Sequence, residues 1–61
     1  MKLPKDPPIL LSYINTKLRD EFRSLEDLCR SLNIDQAELE AILAGIGYTY
    51  LRDGNRFAPA I

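Results

Sequence analysis

Residues 25–43, LEDLCRSLNIDQAELEAIL, hold two short amphipathic segments around Asn33, and their reading decides the fold. Ser24 followed by Asp27 approximates a capping box, with Asp in place of the usual Glu, so a helix is expected over 25–32. Leu25, Leu28, Cys29 and Leu32 share one face of it. Asn tolerates the left-handed backbone that ends helices, so the chain is expected to reverse at Asn33. Asp35 with Glu38 repeats the capping pattern and opens a further helix over 36–46, whose inner face is Leu39, Ile42, Leu43 and Ile46. Gly45 and Gly47 are expected to stop it.

Upstream, Asp6-Pro7-Pro8 is a helix start, because Asp can cap free N–H groups and Pro in the first turn forfeits no hydrogen bond. The helix is expected over 7–22, with Leu10, Leu11, Ile14, Leu18 and Phe22 in a stripe about 120° wide. Ile9 and Tyr13 fall on one flank of that stripe. Residues 1–5 form an arm for which two readings stand: Leu3 and Pro4 pack across a C-terminal hairpin, or the arm is a mobile tail.

Downstream, residues 48–58 read as a hairpin around Asp53-Gly54, a strong signal for a two-residue loop. Such a loop places Arg52 opposite Asn55 and Tyr50 opposite Phe57, with Leu51 beside Arg56 on the other face, and Pro59 ends the second strand. The expected architecture is one small, mainly α domain over 1–61: three helices followed by a short C-terminal β-hairpin, a winged-helix-like layout.

A chain of 61 residues buries only about 60% of the surface its unfolded form exposes, so it is expected to be marginal alone. The single Cys29 and the absence of His exclude an internal disulfide and an ordinary zinc site. A partner chain is the remaining source of stability. The opening MKLPKDPP has no long apolar core and no apolar run reaches the roughly 20 residues of a membrane span, so a cytoplasmic location off the membrane is expected. The net charge is −1 and the pI about 5.2, against a pI above about 9 for a typical compact nucleic-acid-binding domain.

Two resemblances can now be named. Residues 25–42 resemble the helix-turn-helix superfamily, with Leu28, Leu32, Ile34, Leu39 and Ile42 at its apolar positions, Cys29 at its small-residue position and Asn33 where Gly is usual. More of the chain is similar to a family of short bacterial proteins of unknown function found mainly in Firmicutes and Bacteroidetes, through LPKDPPILLSYINTKLRD, SLEDLC and GYTY. That resemblance implies a stand-alone cytoplasmic protein and brings no activity with it.

A helix-turn-helix that reads DNA sets the outward residues of its second helix against base edges, between phosphates that demand cations or neutral donors. Here those residues are Asp35, Gln36, Ala37, Glu38, Glu40, Ala41 and Ala44. Three carboxylates would face a polyanion. The contacts of a DNA-binding alternative would be Gln36 on an adenine edge, with Lys17, Arg23, Arg30, Arg52 and Arg56 on phosphates. Ala37, Ala41 and Ala44 recur along the outer side of the helix, where small side chains admit a close partner, and Ile9 with Tyr13 makes a second candidate patch. Alanine is also simply the best helix former, and single exposed apolar residues are ordinary.

Catalysis lacks its parts: there is no His, no Gly-rich phosphate loop and no metal-ligand spacing, and Cys29 faces inward. Neither cofactor nor small-molecule substrate is expected. The chain is expected to be a non-catalytic protein-interaction module that associates with itself or another protein, the alternative being DNA binding with a basic wing.

Overall fold

The computed structural model describes residues 3–60. Among them three helices precede an antiparallel hairpin: α1 (Pro7–Asp20), α2 (Leu25–Leu32), α3 (Gln36–Ala44), β1 (Tyr48–Leu51) and β2 (Arg56–Pro59). The mainly helical layout with a C-terminal hairpin is the one the sequence leads to.

Two of the three expected caps form. Ser24 Oγ accepts from the Asp27 N–H at 3.1 Å, and Asp35 Oδ1 accepts from the Glu38 N–H at 3.2 Å. Asn33 lies in the left-handed region at φ 57°, and the next N–H, that of Ile34, turns back to the Cys29 carbonyl at 2.8 Å. Asp6 differs, because its backbone is extended as a cap requires but its side chain accepts no hydrogen bond. Pro7 and Pro8 fill the first two helical positions with φ already fixed near the helical value, so α1 starts there without a side-chain cap bond.

Both longer helices stop earlier than their periodicity suggests. α1 ends at Asp20 rather than at residue 22. Phe22 N–H donates to the Lys17 carbonyl at 3.1 Å, while the Leu18 carbonyl, which a continuing helix would use, accepts from the Asn55 side chain at 3.0 Å. α3 ends at Ala44 rather than at residue 46. Gly45, Ile46 and Gly47 each donate three residues back, at 3.2, 3.2 and 2.9 Å, the tighter winding that closes many helices. Gly47, at φ 84°, then makes the exit that a side chain would strain.

The core is Leu10, Ile14 and Leu18 of α1, Leu25, Leu28 and Cys29 of α2, Leu39 and Leu43 of α3, and Phe57 of β2. Leu11, Phe22, Leu32 and Ile46, also expected inside, lie half-buried against it. Ile42 is a clear departure at 39% exposed. Leu39 and Leu43, one turn apart, point inward together, and Ile42 sits about 100° round the helix from Leu43. β1 runs along the Ala41–Ala44 flank of α3, so Ile42 on the opposite flank is left uncovered.

The hairpin register matches the expectation, with Tyr50 opposite Phe57 and Leu51 opposite Arg56, but its turn does not. A two-residue loop at Asp53-Gly54 would need positive φ there. Instead residues 52–55 connect the strands, the left-handed residue is Asn55 at φ 49°, and its N–H donates to the Arg52 carbonyl at 3.2 Å, so Arg52 and Asn55 are not a ladder pair. The reason is tertiary: Asn55 turns inward, donating to the Leu18 and Phe22 carbonyls at 3.0 and 2.9 Å and accepting from the Tyr50 hydroxyl at 2.6 Å. Pro59 extends β2 instead of merely ending it, pairing with Tyr48.

Leu3 packs against the helical core, and with Pro4 and Lys5 it borders the α2–α3 turn rather than the hairpin. Met1 and Lys2, the rest of the expected arm, lie outside the described residues.

Candidate functional site

What holds the hairpin against the helices determines the surface the chain presents. Asn15, midway along α1, takes both backbone polar groups of Phe57: its Oδ1 accepts from the N–H at 2.7 Å and its Nδ2 donates to the carbonyl at 3.1 Å. This carboxamide acts as a one-residue substitute for a missing neighbouring strand. The Tyr50 hydroxyl, already donating to Asn55, also accepts from the Leu25 N–H at 3.3 Å, and the Tyr50 and Phe57 rings lie 5.6 Å apart, tilted by 55°. Neither Asn15 nor Asn55 stands out in the sequence. Both occupy positions that pattern reading assigns to a helix surface and a turn.

With the hairpin so placed, α3 and β1 enclose a groove of about 460 Å³. Ala37, Ala41 and Ala44 are all exposed and line it, together with Glu40, Tyr48 and Tyr50. The alanine stripe therefore faces a groove rather than open solvent. Gln36, the expected adenine reader, is half-buried and its Nε2 donates to Glu40 Oε2 at 3.0 Å, so its donor is already engaged within the helix. Asp35, Glu38 and Glu40 are exposed.

The second expected patch is uneven. Ile9 is 57% exposed, whereas Tyr13 is half-buried against the core with the Lys17 ammonium 5.5 Å above its ring. Lys17 also reaches Glu21 at 2.7 Å, and that hydrogen bond is the chief cause of a raised lysine pKa.

The basic residues are spread over several elements, with Arg52 and Arg56 together on the hairpin and Arg19 and Arg56 bordering one groove. Lys17 is paired with Glu21, and Arg52 lies 3.3 Å from Glu26. Arg23, Arg30 and Arg56 are exposed and make no ion pair among the described residues, but they sit on the α1–α2 connection, the end of α2 and β2 respectively. Arg19 pairs with Asp20 at 2.9 Å.

A further groove, of about 570 Å³, is one the sequence reading missed. It runs between the arm and the α2–α3 turn, with Leu10, Leu32, Ile34 and Ile42 among its lining and Asp35, Glu38 and Lys5 also bordering it. The only sequence signal for it is that Ile42 sits to one side of the Leu39–Leu43 line, which a face 120° wide absorbs without notice.

Cys29 is buried, and burial first, then Glu40, Glu26 and Asp35, hold its thiol above the ordinary range. Among the described residues no group of three or more His, Cys, Asp or Glu is placed to hold a metal ion, and no helix is long and apolar enough to cross a membrane.

Three helices, a hairpin and two open grooves on either side of the third helix define a small, mainly helical class of protein. The chain belongs to the family described as a domain of unknown function, DUF4250, which matches residues 4–57. No curated protein and no solved structure matches it.

Proposed function

We propose that this chain is a non-catalytic protein-interaction module, built on a helix-turn-helix of α2 and α3, that associates with copies of itself in the cytoplasm. The observation that carries the reading is the outward side of α3, where three exposed alanines line a groove and every charged side chain is a carboxylate. Such a surface admits an apolar partner and repels a phosphate backbone. The engagement of Gln36 with Glu40 supports the same conclusion, as do the ion pairs of Lys17 and Arg52. A buried thiol held above its ordinary pKa fits a structural rather than a nucleophilic Cys29.

An amide-resolved titration with a mixed-sequence DNA duplex, at low and then higher salt, tests this against DNA binding. Unmoved peaks are expected. Salt-sensitive shifts gathered at Arg52, Arg56 and the start of α3 would replace the proposal with a DNA-binding wing. Sedimentation across a concentration series tests self-association directly, and a monomer at every concentration would remove it.

A further inference from the structure

Among the described residues the large apolar side chains left exposed are Ile9, Ile42 and Leu51, and two of them lie on separate surfaces with different charged neighbours. Ile42 belongs to the groove between the arm and the α2–α3 turn, where Asp35 and Glu38 outweigh Lys5 and the charge of the lining is −1. Leu51 lies on the outer side of the hairpin, 40% exposed, next to Arg52 and directly across the ladder from Arg56. The hairpin's own Arg52, Arg56 and Asp53 sum to +1, and Glu26 of α2 beside Arg52 offsets it, which leaves Arg56 as the cation without an ion pair there among the described residues. The Arg52 side chain is 83% exposed, and its pair with Glu26 is of the solvent-facing kind that contributes little and exchanges readily.

These surfaces sit at opposite ends of α1. Asn55, in the hairpin turn, is bonded to the Leu18 and Phe22 carbonyls at the C-terminal end, whereas Leu10 borders the groove eight residues earlier. Eight residues of helix are about 12 Å. One copy therefore presents an apolar groove with acidic sides at one end and an apolar projection flanked by arginines at the other, a self-complementary pair of the heterologous kind.

We propose that the partner of the groove is a second copy of this chain, whose hairpin docks with Leu51 against Ile42, Arg56 towards Glu38 and Arg52 towards Asp35. The inference rests on the self-association proposed above and goes beyond its alanine groove, placing a contact between copies at the Ile42 groove and the hairpin. Apolar contact holds the two copies, while the charges orient the hairpin in the groove.

The test uses complementation. Ile42→Glu spoils the groove and leaves the hairpin intact, and Leu51→Glu does the reverse. Each alone should weaken association about tenfold or more, as loss of a central apolar contact does. An equimolar mixture should form a dimer in sedimentation velocity, because one intact groove then meets one intact hairpin, whereas the wild type with both surfaces intact adds further copies. Glu38→Arg and Arg56→Glu form a second pair on exposed side chains, so the test survives if Ile42→Glu does not fold. Each of these should weaken association alone, and the two should associate when mixed. Variants that associate like the wild type, or mixtures that stay monomeric, overturn the inference while leaving self-association standing. A wild-type chain that is monomeric throughout removes both.

Discussion

Asn15 and Phe57 lie far apart in sequence, yet the Asn15 carboxamide completes the outer edge of β2 by bonding both the N–H and the carbonyl of Phe57, at 2.7 and 3.1 Å. The pairing also explains why Pro59 is accommodated in that strand. In an antiparallel ladder the hydrogen-bonding direction alternates, so Pro59, two residues on, also directs its nitrogen away from β1, where no donor is needed.

Replacing Asn15 with Leu should therefore destabilise the chain by about 1–3 kcal/mol, the cost of stranding partly buried backbone groups. Asn15→Asp keeps an acceptor for the N–H but sets a carboxylate against the Phe57 carbonyl, so it should also be less stable than the wild type. Urea midpoints for both variants are the check, and an unchanged midpoint for Asn15→Leu contradicts the role assigned to this contact.

Asn55 combines a left-handed backbone with three side-chain hydrogen bonds. Asn55→Gly retains the backbone freedom and loses the bonds, for a loss of about 2 kcal/mol, and Asn55→Ala adds about 1 kcal/mol or more for the strained φ. Tyr50→Phe should lose about 1 kcal/mol and keep the ring contact with Phe57. Because Tyr50 and Asn55 share one hydrogen bond, the double variant should be more stable than additivity implies. Thermal melts of the full cycle measure this, and strict additivity would show that the two do not act together.

The turn geometry separates two glycines. Gly54 does not have positive φ, and a Cβ there would meet only the Arg56 side chain at 3.5 Å, so Gly54→Ala should change stability by less than about 0.5 kcal/mol. Gly47 sits at φ 84°, and Gly47→Ala should lose about 1–2 kcal/mol. A two-residue loop at Asp53-Gly54 would make the first substitution costly as well, so the pair of melting temperatures distinguishes the loops.

Cys29 has a pH signature. Its folded thiol titrates above the unfolded value of about 8.5, because burial disfavours the thiolate. The stabilisation is complete below that pH and is lost as pH rises towards the folded value, where unfolded chains have released a proton that native chains retain. Urea midpoints should fall above about pH 8.5 in the wild type and less steeply in Cys29→Ala. Parallel pH profiles would mean that the thiol is not shielded.

Much of the architecture is legible in local chemistry. The Ser24 and Asp35 caps, the left-handed Asn33 and the inward pairs Leu25–Leu28 and Leu39–Leu43 follow from which side chains satisfy free N–H groups and which repeat at the helical period. The hairpin register is local too, because a turn of either length centred between Tyr50 and Phe57 brings those rings together. The alanine stripe and the acidic side of α3 are equally visible, since an exposed helix face needs nothing beyond its own period to be recognised.

Other features depend on groups that meet only after the chain has folded. The sequence by itself determined three helices, the starting caps of α2 and α3, most of the core and the strand pairing, because each arises from residues within a few positions of one another. Tertiary structure alone decided where α1 ends, which residue turns the hairpin and which flank of α3 stays bare. The Leu18 carbonyl is claimed by Asn55, Asn55 is drawn inward by carbonyls it meets across the fold, and Ile42 is exposed because β1 covers the other side of its helix.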